Sequence, residues 1–345
     1  STSVTPYPRV RSSSAVAAPN TPAPTTTISS GSADTIVDWI RCSGRSFADS
    51  RYLALNRTVM QIRILSAADV RAAIDMPAAI DAMRDAFSAL ADGTANVPLR
   101  LALETEHGVS LFMPAHLSSS GSAGAKVVSI NPGNPALGLP VIHAVVLALD
   151  PISGRLLALM DGTWLTALRT GAVGGLAADL LAREDADTVA LFGAGVQART
   201  QLEAVRCVRQ IRDVRVVSRS GTSADALVAE LQGVSARRVD DPDEALAGAH
   251  IVIAATGSSV PVFDGSKIEP GTHVTGVGSF TTGMREVDTE LIQRARVIVD
   301  QREAVLTEAG DIAGPIADGT VDESVIDAEI GEIVLGRAPG RTSAD

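Results

Sequence analysis

Aromatic residues are scarce: six Phe, two Tyr and two Trp among 345 residues. The core must therefore be built from Ala, Val, Leu and Ile. Cysteine is scarcer still. Cys42 and Cys207 are too few for a disulfide framework and fit a reducing, cytoplasmic setting. Basic charge is in deficit, with 29 Lys and Arg against 40 Asp and Glu for a formal net charge of −11. So acidic a chain lacks the electrostatic footprint of a nucleic-acid binder, and anionic membrane surfaces repel it. No run of eighteen apolar residues occurs, so no transmembrane helix is expected. The histidines (His107, His116, His143, His250 and His273) are scattered, no His/Cys/carboxylate cluster has metal-ligand spacing, and no metal is expected. A Gly-x-Ser-x-Gly elbow is also missing, which removes serine-hydrolase chemistry.

What remains is the balance of a globular protein: 46% apolar residues, 20% charged residues, and thirty glycines that point to the many tight turns of α/β folds. The length suggests two domains. Residues 1–33 hold 24 Ser, Thr, Pro or Ala, with no acid before Asp34. Such a stretch buries too little apolar surface to offset its ordering entropy. Residues 1–59 are therefore expected to be a disordered or non-native extension, and Met60 is taken as the functional beginning.

From Met60 the pattern is regular. Ser66 and Asp69 have capping-box spacing, and Pro77 opens a helix with Ile80, Met83, Phe87 and Leu90 on one face, ended by Gly93. Strand-like runs follow at 99–104, 110–113, 125–130, 141–149 and 155–160, separated by turns, which predicts a mostly antiparallel sheet. An Ala-rich helix is expected from about Thr163 to Ala182. After Glu184 short apolar strands (188–192, 213–218, 250–255, 273–277 and 296–300) alternate with helices, the signature of βαβ units and a parallel sheet. The change of rhythm near residue 184 is the expected domain boundary. The fold class is thus α/β: a Rossmann-type parallel-sheet domain beside an α+β domain.

The first strand of the second half runs into Gly193-Ala194-Gly195-Val196-Gln197-Ala198, the G-x-G-x-x-A form of the dinucleotide fingerprint. Gly193 permits the turn, Gly195 lets backbone approach a pyrophosphate, and Ala198 lets helix and strand pack closely. The helix N-terminus then offers N–H groups to phosphate. Where an NAD enzyme carries an acid at the end of the second strand, this chain reads Ser218-Arg219-Ser220. Arg219 can pair with a 2′-phosphate, helped by both serines, so NADPH is favoured, with NADH the alternative. Thr256, Val277, Gly278 and Ser279 end the later strands with small residues, leaving room for the nicotinamide ribose.

Three cations stand out in the first half: Arg100 after Val97-Pro98-Leu99, Lys126 inside an apolar strand, and Arg169, followed by Thr170, on the Ala-rich helix. Singly, each reads as well as a structural ion pair. Together they suggest a clamp for a carboxylate, since a buried lysine is costly unless an anion meets it or it loses its charge. Pro98-Leu99-Arg100, Gly124-Ala125-Lys126, Gly138-Leu139-Pro140, Leu165-Thr166-Ala167-Leu168-Arg169-Thr170 and Gly193 to Ala198, in this order, resemble the ornithine cyclodeaminase/mu-crystallin family from Met60 onward.

The resemblance implies a substrate-binding and dimerisation domain begun by residues 60–183, an NAD(P)-binding Rossmann domain at 184–304, and a return to the first domain at 305–345 that stops short of the family's final strand and helix. It implies a homodimer, with Arg100 and Lys126 holding a substrate carboxylate and Arg169 reaching cofactor phosphates and substrate. Cyclodeaminases of the family carry a proton-transferring aspartate where this chain has Phe280. The segment Gly278-Ser279-Phe280-Thr281, with Met284-Arg285-Glu286 after it, is similar to members that reduce cyclic ketimines such as Δ1-pyrroline-2-carboxylate and Δ1-piperideine-2-carboxylate to L-proline- or L-pipecolate-type products. Lys126 is then the one side-chain acid at hand, or a fixed positive charge, and Phe280 walls the pocket for a small cyclic imino or amino acid. The rivals are a cyclodeaminase or L-amino-acid dehydrogenase with an altered proton relay, and an NADPH-dependent binding protein for a hydrophobic carboxylate.

Overall fold

The computed structural model of the protein describes residues 61–343, so the expectations for residues 1–59 and Met60 lie outside the described residues. Strand β1 (Arg63–Leu65) leads directly into helix α1 (Ala67–Ala73). Ser66 and Asp69 close the expected capping box, the Ser66 N–H donating to the Asp69 carboxylate at 2.8 Å while the Ser66 hydroxyl accepts from the Asp69 N–H. Helix α2 (Met76–Ala91) has Pro77 in its first turn, where no intrahelical N–H is required, and Asp75 as its cap. Ile80, Met83 and Phe87 all turn toward one core, as their spacing predicts.

Strands β2 (Ala95–Asn96), β3 (Leu101–Thr105), β4 (Gly108–Leu117), β5 (Ser122–Ile130), β6 (Ile142–Leu149) and β7 (Leu156–Asp161) join β1 in a seven-stranded sheet. Its order is β1-β7-β6-β5-β4-β2, with β3 also on β4. All pairs are antiparallel except β1 with β7. Helix α3 (Gly162–Leu181) starts under an Asp161 cap, whose carboxylate accepts from the Trp164 N–H at 3.0 Å. It lies on one face of the sheet, where Met160, Leu165, Leu168 and Leu176 share a core with Val70, Met76 and Ile80. On the opposite face Leu101, Leu103 and Phe112 remain exposed.

The next segment alternates as expected: β8 (Thr188–Phe192), α4 (Val196–Val208), β9 (Asp213–Val217), α5 (Gly221–Glu230), β10 (Ser235–Arg238), α6 (Pro242–Leu246), β11 (Ile251–Ala254) and β12 (His273–Gly276). These strands form a five-stranded, all-parallel sheet in the order β10-β9-β8-β11-β12. The order reverses at β8, and in such sheets a ligand crevice opens at the carboxyl ends beside the reversal. β8 and β11 are buried along almost their whole length, which is why they read as plain apolar runs.

Two details differ from the sequence reading. β10 is an extra edge strand of sequence Ser-Ala-Arg-Arg, mostly exposed and therefore without an apolar signal. The run at 296–300 does form a strand, but outside the parallel sheet. After α7 (Thr289–Arg294) come β13 (Val297–Val299), α8 (Arg302–Glu308), α9 (Gly310–Ala317), β14 (Ile326–Glu329) and α10 (Ile330–Val334), and β13 pairs with β14 in a separate two-stranded sheet. An apolar run reports burial and not partner, so sequence could not choose between the sheets.

Residues 337–341 reach back to the first helices. Arg337 donates to the Ala91 carbonyl at the end of α2 and Arg341 to the Leu181 carbonyl at the end of α3, each at 2.6 Å. Arg209 donates to the Asp179 and Ala182 carbonyls, so two guanidinium groups meet the negative end of α3.

Helices α3 and α4 approach at positions without side chains. A methyl group on Gly171 would stand 2.6 Å from the Thr200 carbonyl oxygen, and one on Gly174 would stand 1.7 Å from Gln201 Oε1. At Gly171 the obstacle is backbone and cannot swing aside. Gly171→Ala is expected to destabilise the fold by about 1–3 kcal/mol, the cost of overpacking. A urea midpoint equal to wild type would show that the two helices have room to separate.

Candidate active site

Strand register assembles the cations. Lys126 lies mid-strand in β5, opposite Met113 of β4 and Val146 of β6, and Val146 in turn pairs with Met160 of β7. This row faces α3, because Val146 and Met160 pack in the core that holds Leu165 and Leu168. Leu101 pairs with Phe112, so Arg100, one residue earlier, falls beside Met113 and joins the Lys126 row. Arg169 projects from α3 above them. It is surrounded by the fold yet stays open to solvent.

The electrostatics bear out this proximity. Burial pushes the Lys126 ammonium down from 10.5 to about 8, and the charges of Arg169 and Arg100 push the same way. Burial also lowers Arg169; Asp300 opposes that shift and Arg100 reinforces it. Arg100 forms an ion pair with Glu308 at the end of α8. Among the described residues no carboxylate pairs directly with Lys126 or Arg169. Three cations held together with one direct counter-ion make a local excess of positive charge inside an acidic protein, which suits a small anion.

The same helix carries the cluster to the glycine-rich loop. The Thr170 carbonyl accepts from Gln201 Nε2 at 2.8 Å, and Gly171 abuts Thr200, so Arg169 and Thr170 lie against the first turns of α4. In the loop, Gly193 has φ +109°, and a Cβ there would stand 2.4 Å from the Ala255 carbonyl oxygen, so only glycine fits. Gly195 has open space above it and begins α4 without a side-chain cap, leaving the first N–H groups free. Ala194 and Ala198 are buried, Val196 is 60% exposed, and Gln197 Oε1 is buried without a partner. Arg199 holds the Ala194 carbonyl while Glu230 takes its charge. An uncapped helix start, an open glycine and a strictly required turn fit a dinucleotide pyrophosphate.

Ser218, Arg219 and Ser220 follow β9 on the far side of β8 from β11 and β12. Arg219 is exposed, and Ser220 caps α5, accepting from the Ser223 N–H at 3.2 Å. These residues lie away from the cations. Thr256 follows β11, and Val277, Gly278 and Ser279 follow β12, on the other side of the loop. Phe280 is 45% exposed on the segment after β12, with no described contact to the cations. The link is indirect: the carbonyls of Thr281, Thr282 and Met284 crowd Gly310, two residues beyond Glu308. His143 pairs with Ser129 and faces away from Lys126.

Sequence reasoning passed over Asp300, Glu308 and Glu286. The first two come from the segment after β13, where nothing in the spacing of acids marks them as neighbours of Arg169 and Arg100. Glu286 lay inside a quoted motif, but beside Arg285 it reads as half of a surface ion pair. In the fold it is fully buried.

The model of the ornithine cyclodeaminase/mu-crystallin family matches residues 60–345. A Delta(1)-pyrroline-2-carboxylate reductase of Bacillus cereus is 34% identical over 284 residues, covering 81% of this chain and 87% of that protein. The Thermococcus litoralis Delta(1)-pyrroline-2-carboxylate reductase, solved with NADH and L-proline, superposes with a TM-score of 0.79 at 40% identity over 81% of this chain and 88% of its own. An archaeal alanine dehydrogenase dimer with bound NAD follows at 0.78 and 36%, over 82% and 87%. Among the described residues no helix is long and apolar enough to cross a membrane.

The chain has two lysines, Lys126 and Lys267. In a Lys267→Arg protein carrying 13C-methylated lysine, the Lys126 resonance is expected to titrate near 8. A midpoint at the ordinary 10.5 would mean that the three cations do not converge in solution.

Proposed function

The chain belongs to the ornithine cyclodeaminase/mu-crystallin family, and we propose that it is a nicotinamide-dependent reductase of small cyclic imino acids, taking Δ1-pyrroline-2-carboxylate or Δ1-piperideine-2-carboxylate to L-proline or L-pipecolate. The observation that carries this is the convergence of Arg100, Lys126 and Arg169 beside the helix that follows the glycine-rich loop. Phe280, in place of a titratable residue, supports reduction over amine elimination, because a phenyl ring shuttles no protons.

Each residue then has a task. Arg100 exchanges Glu308 for the substrate carboxylate and orients it through paired N–H donors. Arg169 neutralises anionic groups at the junction of substrate and cofactor. The nicotinamide supplies the hydride when bound. Lys126 holds the proton that the ring nitrogen takes as its carbon receives hydride, and a pKa near 8 makes this ammonium a competent acid close to neutrality. Phe280 lines the apolar side of the ring pocket. Ala194, Gly195, Val196 and Gln197 form the pyrophosphate seat, Thr256, Val277, Gly278 and Ser279 the nicotinamide edge, and Arg219 with Ser218 and Ser220 the adenosine end. An exposed guanidinium with no acid at the end of β9 favours NADPH, although the solved relatives hold NADH and NAD. The exposed face bearing Leu101, Leu103 and Phe112 suits a second copy of the chain.

A spectrophotometric screen of NADPH and NADH with five- and six-membered ketimines tests this directly. Oxidation of the nucleotide only in the presence of the imino acid is expected. Because Lys126 must be protonated to donate, kcat/KM should fall as pH rises through about 8. Lys126→Ala should lower it by about 10²–10⁴-fold. Turnover of alanine with NAD, or proline and ammonia from ornithine, with no ketimine reduction would overturn the assignment; the first outcome is the second reading, favoured by the similarity to the alanine dehydrogenase.

Cofactor choice has its own test. Arg219→Asp replaces the phosphate partner with a ribose acceptor, and the ratio of kcat/KM for NADPH over NADH should drop by at least about tenfold. An unchanged ratio removes Arg219 from cofactor selection.

A further inference from the structure

Glu286 is 0% exposed, yet no ion pair reaches it among the described residues. Its charge is met by hydrogen-bond donors alone. Oε1 accepts from the Thr256 N–H at 2.5 Å and from the Thr256 hydroxyl at 2.6 Å. Oε2 accepts from the Val277 N–H at 3.2 Å and from the Gly278 N–H. These donors belong to the segments directly after β11 and β12, so one carboxylate staples two adjacent strand ends together. Gly278 is required for this contact, since a Cβ there would stand 1.9 Å from the Thr256 carbonyl oxygen and 2.7 Å from the Glu286 carboxyl carbon.

A second buried acid holds the first. Asp311 Oδ1 accepts from the Glu286 N–H at 2.7 Å and from the Val287 N–H at 3.1 Å. The Asp311 N–H donates to Ser279 Oγ at 2.9 Å, and Ser279 Oγ donates to the Met284 carbonyl at 3.0 Å. The segment carrying Phe280 is thus fixed at both ends by this network. Burial raises the Asp311 carboxyl, and Glu286 adds to that despite the two backbone donors.

The placement gives the charge a target. In the order β10-β9-β8-β11-β12, phosphates belong at the β8 loop and the adenosine end at β9. The other mononucleotide half therefore falls over the ends of β11 and β12, where Glu286 has consumed the Thr256, Val277 and Gly278 N–H groups. A negative charge beneath that edge interacts more favourably with an oxidised, cationic nicotinamide than with the neutral reduced ring. We propose that Glu286 is a positioning residue that sets the nicotinamide subsite and, through its fixed charge, raises the affinity of the oxidised over the reduced cofactor, making the bound reduced form a stronger hydride donor. The proposal rests on the nicotinamide reading of the site.

The test measures dissociation constants, not turnover, for NADP+ and NADPH by calorimetry on the wild type and variants. A loosened subsite would weaken both forms alike; loss of a charge would not. Glu286→Gln should raise the ratio of the oxidised to the reduced constant by about fivefold or more. Glu286→Asp, which keeps the charge, should hold that ratio within about twofold of wild type while weakening both forms. Should the buried amide prevent folding, Thr256→Val removes the hydroxyl that partly neutralises Oε1 and should lower the ratio. Equal weakening of both forms by Glu286→Gln overturns the proposal, as does an unchanged ratio in Thr256→Val. A wild-type protein that binds neither nucleotide would instead remove the cofactor site itself, and the proposal with it.

Discussion

Helix α3 can lie against helix α4 only where its surface carries no side chain, and the placement of the candidate site follows from that contact. Gly171 meets the Thr200 backbone and Gly174 receives the Gln201 amide. At its start the same helix crowds β6, where a Cβ on Gly162 would stand 2.9 Å from the Ala144 carbonyl carbon. One helix is thereby pinned to the sheet that carries Lys126 and to the helix that follows the glycine-rich loop. Arg169 lies between the two contacts. A bulkier helix would still cover the sheet, but Arg169 and the loop would separate.

Charge is distributed against the average of the molecule. The chain carries a formal charge of −11, yet Arg100, Lys126 and Arg169 gather where, among the described residues, Glu308 alone pairs directly with one of them. Close to the second sheet, Glu286 and Asp311 do the reverse, two acids with no cation in hydrogen-bond contact among the described residues. Like charges in close company repel, yet the donors around Glu286 and Asp311 tie two strand ends and the segment after them together.

Much of this could be read from the sequence because it depends on local patterns. The Ser66 cap, the Pro77 helix start, the β8 run and the Gly193 turn are decided by neighbours within a few residues. Arg100, Lys126 and Arg169 were legible as oddities, charges set in apolar segments, although their convergence depends on strand register. The separate pairing of β13 with β14 was hidden because an apolar run does not name its partner. β10 was hidden because an edge strand of Ser-Ala-Arg-Arg has no apolar face to show. Glu286 escaped for a third reason: an acid in a polar loop looks the same whether it ends in water or under two strand ends.

The clamp on the C-terminal end of α3 bears on how the chain acquires its shape during synthesis. Arg209 reaches the carbonyls of Asp179 and Ala182 from 30 and 27 residues away, whereas Arg341 reaches Leu181 from 160. At a ribosomal pace of ~5–20 residues per second, the two guanidinium groups arrive roughly seven to twenty-six seconds apart. In that interval the helix end has one of its two cations, and the carbonyl of Leu181 is left to water. Arg337, 246 residues from Ala91, arrives just as late at the end of α2. The first sheet and its helices thus stand half-finished while the 160 residues after Leu181 are made, and the apolar face around Leu101 and Leu103 is exposed throughout.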